Sequence, residues 1–428
     1  MLEPATRRRS LLRIATAGSV DDGKSTLIGR LLHDTKTLLE DQLGALERAS
    51  ARRGQGVTDL ALVTDGLRAE REQGITIDVA YRFFSTPARS FILADTPGHA
   101  QYTRNMVTGA STADVAVVLV DVRHGVVEQT RRHVYVAALL GVGALVVAVN
   151  KMDLVGWDEH VFEAVAGEVA AYVAGLPFPV PVRAVPVSAL HGDNVVELSA
   201  RMPWYEGPSL LAVLEAIDVG RDRDHGGVGA RLPVQWVIRP PDHPDRRGYA
   251  GQLAGGVLAP GDAVVVLPAG IPTTVVAVET ADGPLHRAMP GQAVTVRLAD
   301  HVDVGRGDTV AAVGPGVRLP LVGTEVEADV CWMAESPLWP RSRHLVKHTT
   351  RTVRALVSDL VHRIDVDALV PRAAPARLDL NDLGRVRLRV ATPIVADPYE
   401  VSRVTGRFVV VDEASNATAA AGMIRSVR

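Results

Sequence analysis

Between residues 11 and 215 the chain alternates short apolar runs with stretches whose apolar residues recur at helical spacing. The runs at 14–17, 91–94, 115–120, 145–149 and 182–187 predict strands. The last three are nearly unbroken, the pattern of strands covered on both faces. Residues 25–32 predict an amphipathic helix. Such alternation predicts a mostly parallel, doubly wound sheet. Residues 34–75 interrupt it with a long, charged, partly helical connection, and a connection of that length is ordinarily functional. Beyond residue 220 the texture changes. Residues 221–229 are polar and glycine-rich and predict a linker. Short β runs follow at 232–239, 251–257, 263–267, 273–280 and 293–298, separated by Pro, Gly and Asp. Their spacing predicts a small antiparallel barrel. Residues 313–321 predict a second linker, and the β pattern from 323 onward predicts a second barrel.

The chain has 428 residues, 47% of them apolar, enough to build cores in two or three domains. Its 46 basic and 49 acidic residues leave a net charge of −3. That balance argues against a protein whose main work is wrapping nucleic acid. The single cysteine, Cys331, excludes an internal disulfide and points to the reducing cytoplasm. Beside Trp332 and Met333 it reads as a small buried hydrophobe. Arg7, Arg8 and Arg9 precede no long apolar stretch and read as a solvated tail. The longest apolar stretch, 134–149, is short for a membrane span and is interrupted by Gly141 and Gly143.

Residues Gly18-Ser19-Val20-Asp21-Asp22-Gly23-Lys24-Ser25, continued by Thr26, form a complete phosphate loop between a predicted strand and a predicted helix. Its glycines let several N–H groups converge where the helix dipole also favours an anion. Lys24 can reach β- and γ-phosphates, and Ser25 can offer its hydroxyl to Mg²⁺. Asp95-Thr96-Pro97-Gly98-His99 follows the strand 91–94. A carboxylate there can serve Mg²⁺ and a glycine N–H can meet the γ-phosphate. Gly74-Ile75-Thr76-Ile77-Asp78 ends the long connection, and Thr76 can give its hydroxyl to Mg²⁺. His99 can orient an attacking water. Lys24, Thr76 and His99 are therefore the catalytic candidates, and Ser25, Thr76 and Asp95 the metal candidates. His124, His133 and His191 read as surface or capping residues.

Asn150-Lys151-Met152-Asp153 follows the strand 145–149. The Asp153 carboxylate can accept both guanine N1–H and the exocyclic amine, a donor pair that adenine lacks. Asn150 can brace the loops, and the Lys151 stem can lie along the base. Ser188-Ala189-Leu190 follows the strand 182–187, and its N–H groups can meet guanine O6. Each run alone has an ordinary reading as a turn or helix cap. The phosphate loop, Asp95–His99, Asn150–Asp153 and Ser188–Leu190 lie, in order, at the C-terminal ends of predicted strands, where open α/β sheets bind ligands. The predicted fold is thus an α/β P-loop GTPase domain over 1–220, with β-barrels over 230–316 and 322–428, binding GTP and Mg²⁺.

These segments, followed by two barrels, resemble the translation-factor class of GTPases. Elongation factors of that class usually carry histidines where this chain has Ser19 and Asp22, and threonine where it has Ser25. The loop instead resembles that of the GTPase subunit, the larger chain, of bacterial two-subunit sulfate adenylyltransferases (ATP sulfurylases). Residues 69–81, 95–111, 202–211, 247–251, 332–335 and 416–424 carry the same likeness through all three predicted domains. The resemblance implies a GTP-hydrolysing regulatory subunit and a smaller ATP-binding adenylyltransferase partner. The partner joins ATP and sulfate into adenosine 5′-phosphosulfate and pyrophosphate, an uphill step that GTP hydrolysis drives. Some relatives carry a fused adenylylsulfate kinase. This sequence has no second Gly-x₄-Gly-Lys-Ser/Thr run, which puts that step on another chain.

An elongation-factor-like GTPase delivering an aminoacyl-tRNA would share the architecture. The Asp21-Asp22 loop and the lack of positive charge favour sulfate activation. Arg341, Arg343, Lys347, Arg351 and Arg354 form a basic stretch that reads as the solvated face of a strand pair. A GTP-binding scaffold with little turnover is a third reading, against which Thr76, Asp95 and His99 stand.

Overall fold

The computed structural model describes residues 10–37, 60, 78–98, 103–218, 228–239 and 247–428. Most of the connection 34–75, the linker 221–229 up to 227, Thr76 and His99 lie outside those residues. The chain divides into two compact units, 1–219 with 366–369, and 220–365 with 370–428.

In the first unit β1 (Ser10–Ala17), α1 (Lys24–Asp34), β2 (Ala80–Ser85), β3 (Arg89–Asp95), α2 (Thr103–Ala110) and β4 (Val115–Asp121) come first. Then follow α3 (Glu128–Leu139), β5 (Ala144–Asn150), α4 (Glu159–Ala174), β6 (Val182–Pro186) and α5 (Leu210–Ala216). The six strands order as β2-β3-β1-β4-β5-β6. All pairings are parallel except β2 with β3. Every residue of β4 is buried, which is why that run is apolar without alternation. Leu27, Ile28, Leu31 and Leu32 give α1 the apolar stripe that seats it on the sheet. The apolar pattern did not predict β2. It is an edge strand whose Tyr81 and Phe83 face solvent, and it is anchored through Phe84 stacked on Phe91 at 4.5 Å.

The second unit contains two seven-stranded sheets, each closed on itself. The first runs β7 (Arg231–Ile238), β8 (Gly248–Gln252), β9 (Ala263–Leu267), β10 (Ile271–Thr280), β11 (Gly283–Pro284), β12 (Ala293–Leu298) and β13 (Thr309–Ala312). Pairing of β9 with β10 closes it. The second runs β14 (Leu321–Trp332), β15 (Arg343–His348), β16 (Arg351–Asp365), β17 (Val370–Ala373), β18 (Leu383–Ala396), β19 (Arg407–Val411) and β20 (Thr418–Val427). Pairing of β15 with β16 closes it. Each barrel has its own apolar core. Closure leaves few free edges. The predicted strand 251–257 is displaced, since Gly248–Gln252 pairs instead and Gly255-Gly256 lies beyond it.

Arg231 of the first barrel meets Asp397 of the second at 3.3 Å, and both side chains are 1% exposed. Thr405 also donates to Asp397, at 2.7 Å. A buried charge stripped of its partner is costly. Asp397→Ala is expected to lower stability by about 3–5 kcal/mol, read as a fall in the calorimetric midpoint of the second unit. Among the described residues no helix is long and apolar enough to cross a membrane.

Candidate functional site

The loop after β1 is shaped by residues that only glycine suits. Gly18 has φ +153, and a Cβ there would come within 3.0 Å of Leu119 O. Gly23 has φ +95, and its Cβ would lie 2.4 Å from the Asn150 side-chain nitrogen. Asp21, at φ 63, turns its carbonyl to Lys151 Nζ, 2.5 Å away. The helix α1 begins directly on Gly23 and has no side-chain cap. By contrast, Asp158 caps α4 and Ser209 caps α5. The first N–H groups of α1 therefore suit an external anion, beside the Ser25 and Thr26 hydroxyls. Lys24, 7% exposed, bonds Gly18 O at 3.0 Å and Ser19 O at 2.7 Å. Burial pushes its ammonium pKa down, while Asp22, Asp95 and Asp21 oppose that shift.

Asp95 ends β3 buried, and Thr16 Oγ1 donates to it at 3.4 Å. Thr96 Oγ1 donates to Thr16 O. Pro97 is buried. Gly98 abuts the phosphate loop, and a Cβ there would sit 2.4 Å from Lys24 Nζ and 2.8 Å from Gly18 O. Gly98→Ala is therefore expected to displace Lys24 and weaken GTP binding about tenfold or more, measurable by fluorescent-nucleotide titration.

Asn150 ties three loops together. Its Nδ2 donates to Asp22 O at 2.8 Å, and its Oδ1 accepts the Ala189 N–H at 2.9 Å. Lys151 has φ 66 and Met152 is fully buried, which fixes the turn that presents Asp153. Ser188 Oγ donates to Asp153 Oδ1 at 2.6 Å and accepts the His191 N–H at 3.4 Å. Arg30 Nε holds Ala189 O at 3.1 Å, and Arg30 Nη2 holds Leu190 O. Val20 and Leu190 are exposed. The described candidates thus gather at the C-terminal ends of β1, β3, β5 and β6.

Sequence reasoning missed two contributors. Asp121, at the end of β4, accepts Arg123 at 2.7 Å and Lys151 at 2.9 Å. Burial alone would raise its pKa, but the bonds from Arg123 and Lys151 hold it below the usual carboxylate range. The second is His133, expected as a surface or capping residue. It is 1% exposed under the phosphate loop, where its Nδ1 accepts the Gly18 N–H at 3.1 Å. Burial, with Lys24 and Arg132 nearby, pushes its pKa down to about 3, so the ring is neutral. Its position on the apolar stripe of α3, beside Val134 and Ala137, was the available signal.

The donor set suits a magnesium nucleotide. It combines an uncapped helix start, a cradle beside Gly98 that a Cβ would fill, a buried lysine and a buried carboxylate.

Residues 9–218 match the family described as the Elongation factor Tu GTP binding domain. Residues 325–425 match the GTP-eEF1A C-terminal domain-like family. A bifunctional enzyme CysN/CysC from Mycobacterium tuberculosis is 55% identical over 97% of this chain and 67% of its own. The sulfate adenylyltransferase subunit 1 of Laribacter hongkongensis is 50% identical over 98% of this chain and 86% of its own. That of Tolumonas auensis is 50% identical over 98% and 87%. Fold, site and near-complete coverage agree: the chain belongs to the sulfate adenylyltransferase subunit 1 family, within the translation-factor class of GTPases.

Proposed function

We propose that the chain is the GTP-hydrolysing regulatory subunit of a sulfate adenylyltransferase. GTP hydrolysis here drives formation of adenosine 5′-phosphosulfate and pyrophosphate from ATP and sulfate on a smaller, ATP-binding partner. The observation that carries this is the gathering of Lys24, Gly98, Asn150 and Asp153 around one phosphate loop, in a chain half identical to sulfate adenylyltransferase subunit 1. The division into domains at 1–220, 230–316 and 322–428 and a cytoplasmic location belong to the same proposal.

In this reading Lys24 and the N–H groups from Asp21 to Thr26 hold the β- and γ-phosphates. Gly98 gives its N–H to the γ-phosphate. Asp153 accepts guanine N1–H and the amine, braced by Ser188. Lys151 lies along the base, its ammonium held by Asp121. The third loop, from Ser188 to Leu190, faces guanine O6. Ser25, Thr76 and Asp95 would hold Mg²⁺, which would supply charge neutralisation to the phosphates when bound. His99 orients the attacking water.

The tRNA-delivery reading is disfavoured because so many arginines of the second barrel already have carboxylate partners. Arg385, Arg387 and Arg389 of β18 stand opposite Asp329, Glu327 and Glu325 of β14 and pair with them. Within the basic stretch, Arg351 pairs with Asp308 and Arg354 with Glu413. Co-purification from the native host tests the proposal. An ATP-binding companion that makes adenylylsulfate faster with GTP is expected. Ribosomal material, or tRNA binding that weakens with salt, would favour the alternative.

A further inference from the structure

The head of the phosphate loop is gripped from both sides by groups of the chain itself. The carbonyls of Gly18 and Ser19 both accept from Lys24 Nζ. The N–H groups of the same two residues are also taken. Gly18 N–H goes to His133 Nδ1 at 3.1 Å, and Ser19 N–H goes to Asp22 Oδ2 at 2.5 Å. Both acceptors are sequestered, Asp22 at 5% and His133 at 1% exposure. Asp22 is held in turn, since its carbonyl accepts from Asn150. His133 is held through its other ring nitrogen. A ring that accepts at Nδ1 and stays neutral carries its proton on Nε2. That nitrogen lies 2.8 Å from Gln129 Nε2, and with the Gln129 amide turned over its oxygen takes that place and receives the proton.

We infer that Asp22 and His133 are positioning residues which preset the phosphate loop by accepting the Ser19 and Gly18 N–H groups. Neither side chain needs to touch the nucleotide. The Ser19 N–H shares its peptide unit with the Gly18 carbonyl on which Lys24 rests, and the Gly18 N–H belongs to the unit just before it, so the two acceptors fix the peptide units that lead into the carbonyls holding Lys24. If those units turn, the carbonyls leave Lys24 and the ammonium loses its aim at the phosphates. A loop already in shape spares the nucleotide the ordering cost on binding. The inference also gives a physical role to Asp22, one of the residues that sets this loop apart from elongation factors. Its carboxylate closes the loop on itself.

The inference rests on the guanine-nucleotide reading of the site, and fluorescent mant-GDP binding to the full chain separates the two. A parent chain that fails to bind mant-GDP would sink that reading. Given a binding parent, Asp22→Asn and His133→Asn keep an oxygen where Oδ2 and Nδ1 accept. They are expected to bind within about threefold of the parent, whereas Asp22→Val and His133→Leu bind about tenfold or more weakly, each leaving a loop N–H without its acceptor. In hydrolysis assays the loss falls on KM more than on kcat, because saturating nucleotide imposes the loop shape itself. The ¹⁵N spectrum of His133 is expected to show the neutral Nε2–H form at pH 7. Valine and leucine variants that bind like the parent would overturn the inference. So would asparagine variants that lose as much as those two, or a proton on Nδ1. If the apolar variants do not fold, the asparagine pair and the spectrum still decide.

Discussion

Lys24→Ala is expected to abolish GTP stimulation of adenylylsulfate formation while leaving assembly with the partner intact. Lys24 is 7% exposed, and its ammonium is aimed across the loop by Gly18 O and Ser19 O. In phosphoryl transfer the protein mainly positions groups and neutralises developing charge, so losing this cation acts on the transition state directly. Removal of one preorganised donor commonly costs about 10²–10³ in kcat. The loss here should be at least that large, because no other lysine or arginine among the described residues bonds the loop carbonyls of both Gly18 and Ser19. Assembly should survive, since the side chain is buried within the first unit and offers no surface to a partner. GTP turnover and GTP-dependent adenylylsulfate yield of the purified complex check this. Full stimulation by the variant complex would remove the coupling assignment.

Asp153→Asn is expected to weaken GTP and admit xanthosine triphosphate. Guanine presents two donors, N1–H and the amine, to a carboxylate whose Oδ1 also receives the Ser188 hydroxyl at 2.6 Å. An amide turns one acceptor into a donor that faces the guanine amine. Each charge-assisted bond lost is worth about 1.5–3 kcal/mol, so GTP affinity should fall roughly 100-fold or more. Xanthine has N1–H beside a carbonyl, the pattern an amide matches, and a site built for one hydrogen-bonding pattern rejects the other strongly. Competition between GTP and xanthosine triphosphate, read in parent and variant, checks the inversion. Unchanged preference in the variant would remove Asp153 from base recognition.

Much of the site is legible in the residues because it follows from backbone chemistry. Gly18 and Gly23 stand where positive φ and crowding by Leu119 and Asn150 leave no room for a Cβ. The spacing of loop, Asp95, Asn150 and Ser188 is set by strands that all end at one edge of the sheet. What escaped the sequence has equally physical causes. The strand β2 is an exposed edge held by the Phe84–Phe91 stack, so it carries little apolar pattern of its own. Four-residue β13 is recognisable only from the strands it joins, β7 and β9. His133 and Asp121 are distant from the loop in sequence and reach it through the packing of α3 and β4. A histidine buried as an acceptor looks, in sequence, like a histidine on a surface. Barrel closure is a long-range pairing, β9 with β10 and β15 with β16, that turn signals alone suggest but do not specify.

GTP hydrolysis on this chain, if it drives sulfate activation on the partner, must leave its mark on how far the uphill reaction runs. The direct measurement is adenylylsulfate accumulation by the purified complex from ATP and sulfate, with pyrophosphate present. It should be followed with GTP, with a non-hydrolysable GTP analogue, and with neither. With GTP, accumulation should pass the level reached without nucleotide, in step with GDP release, and the analogue should not sustain it. The same final level with and without GTP, or an equal rise with the analogue, would contradict the coupling.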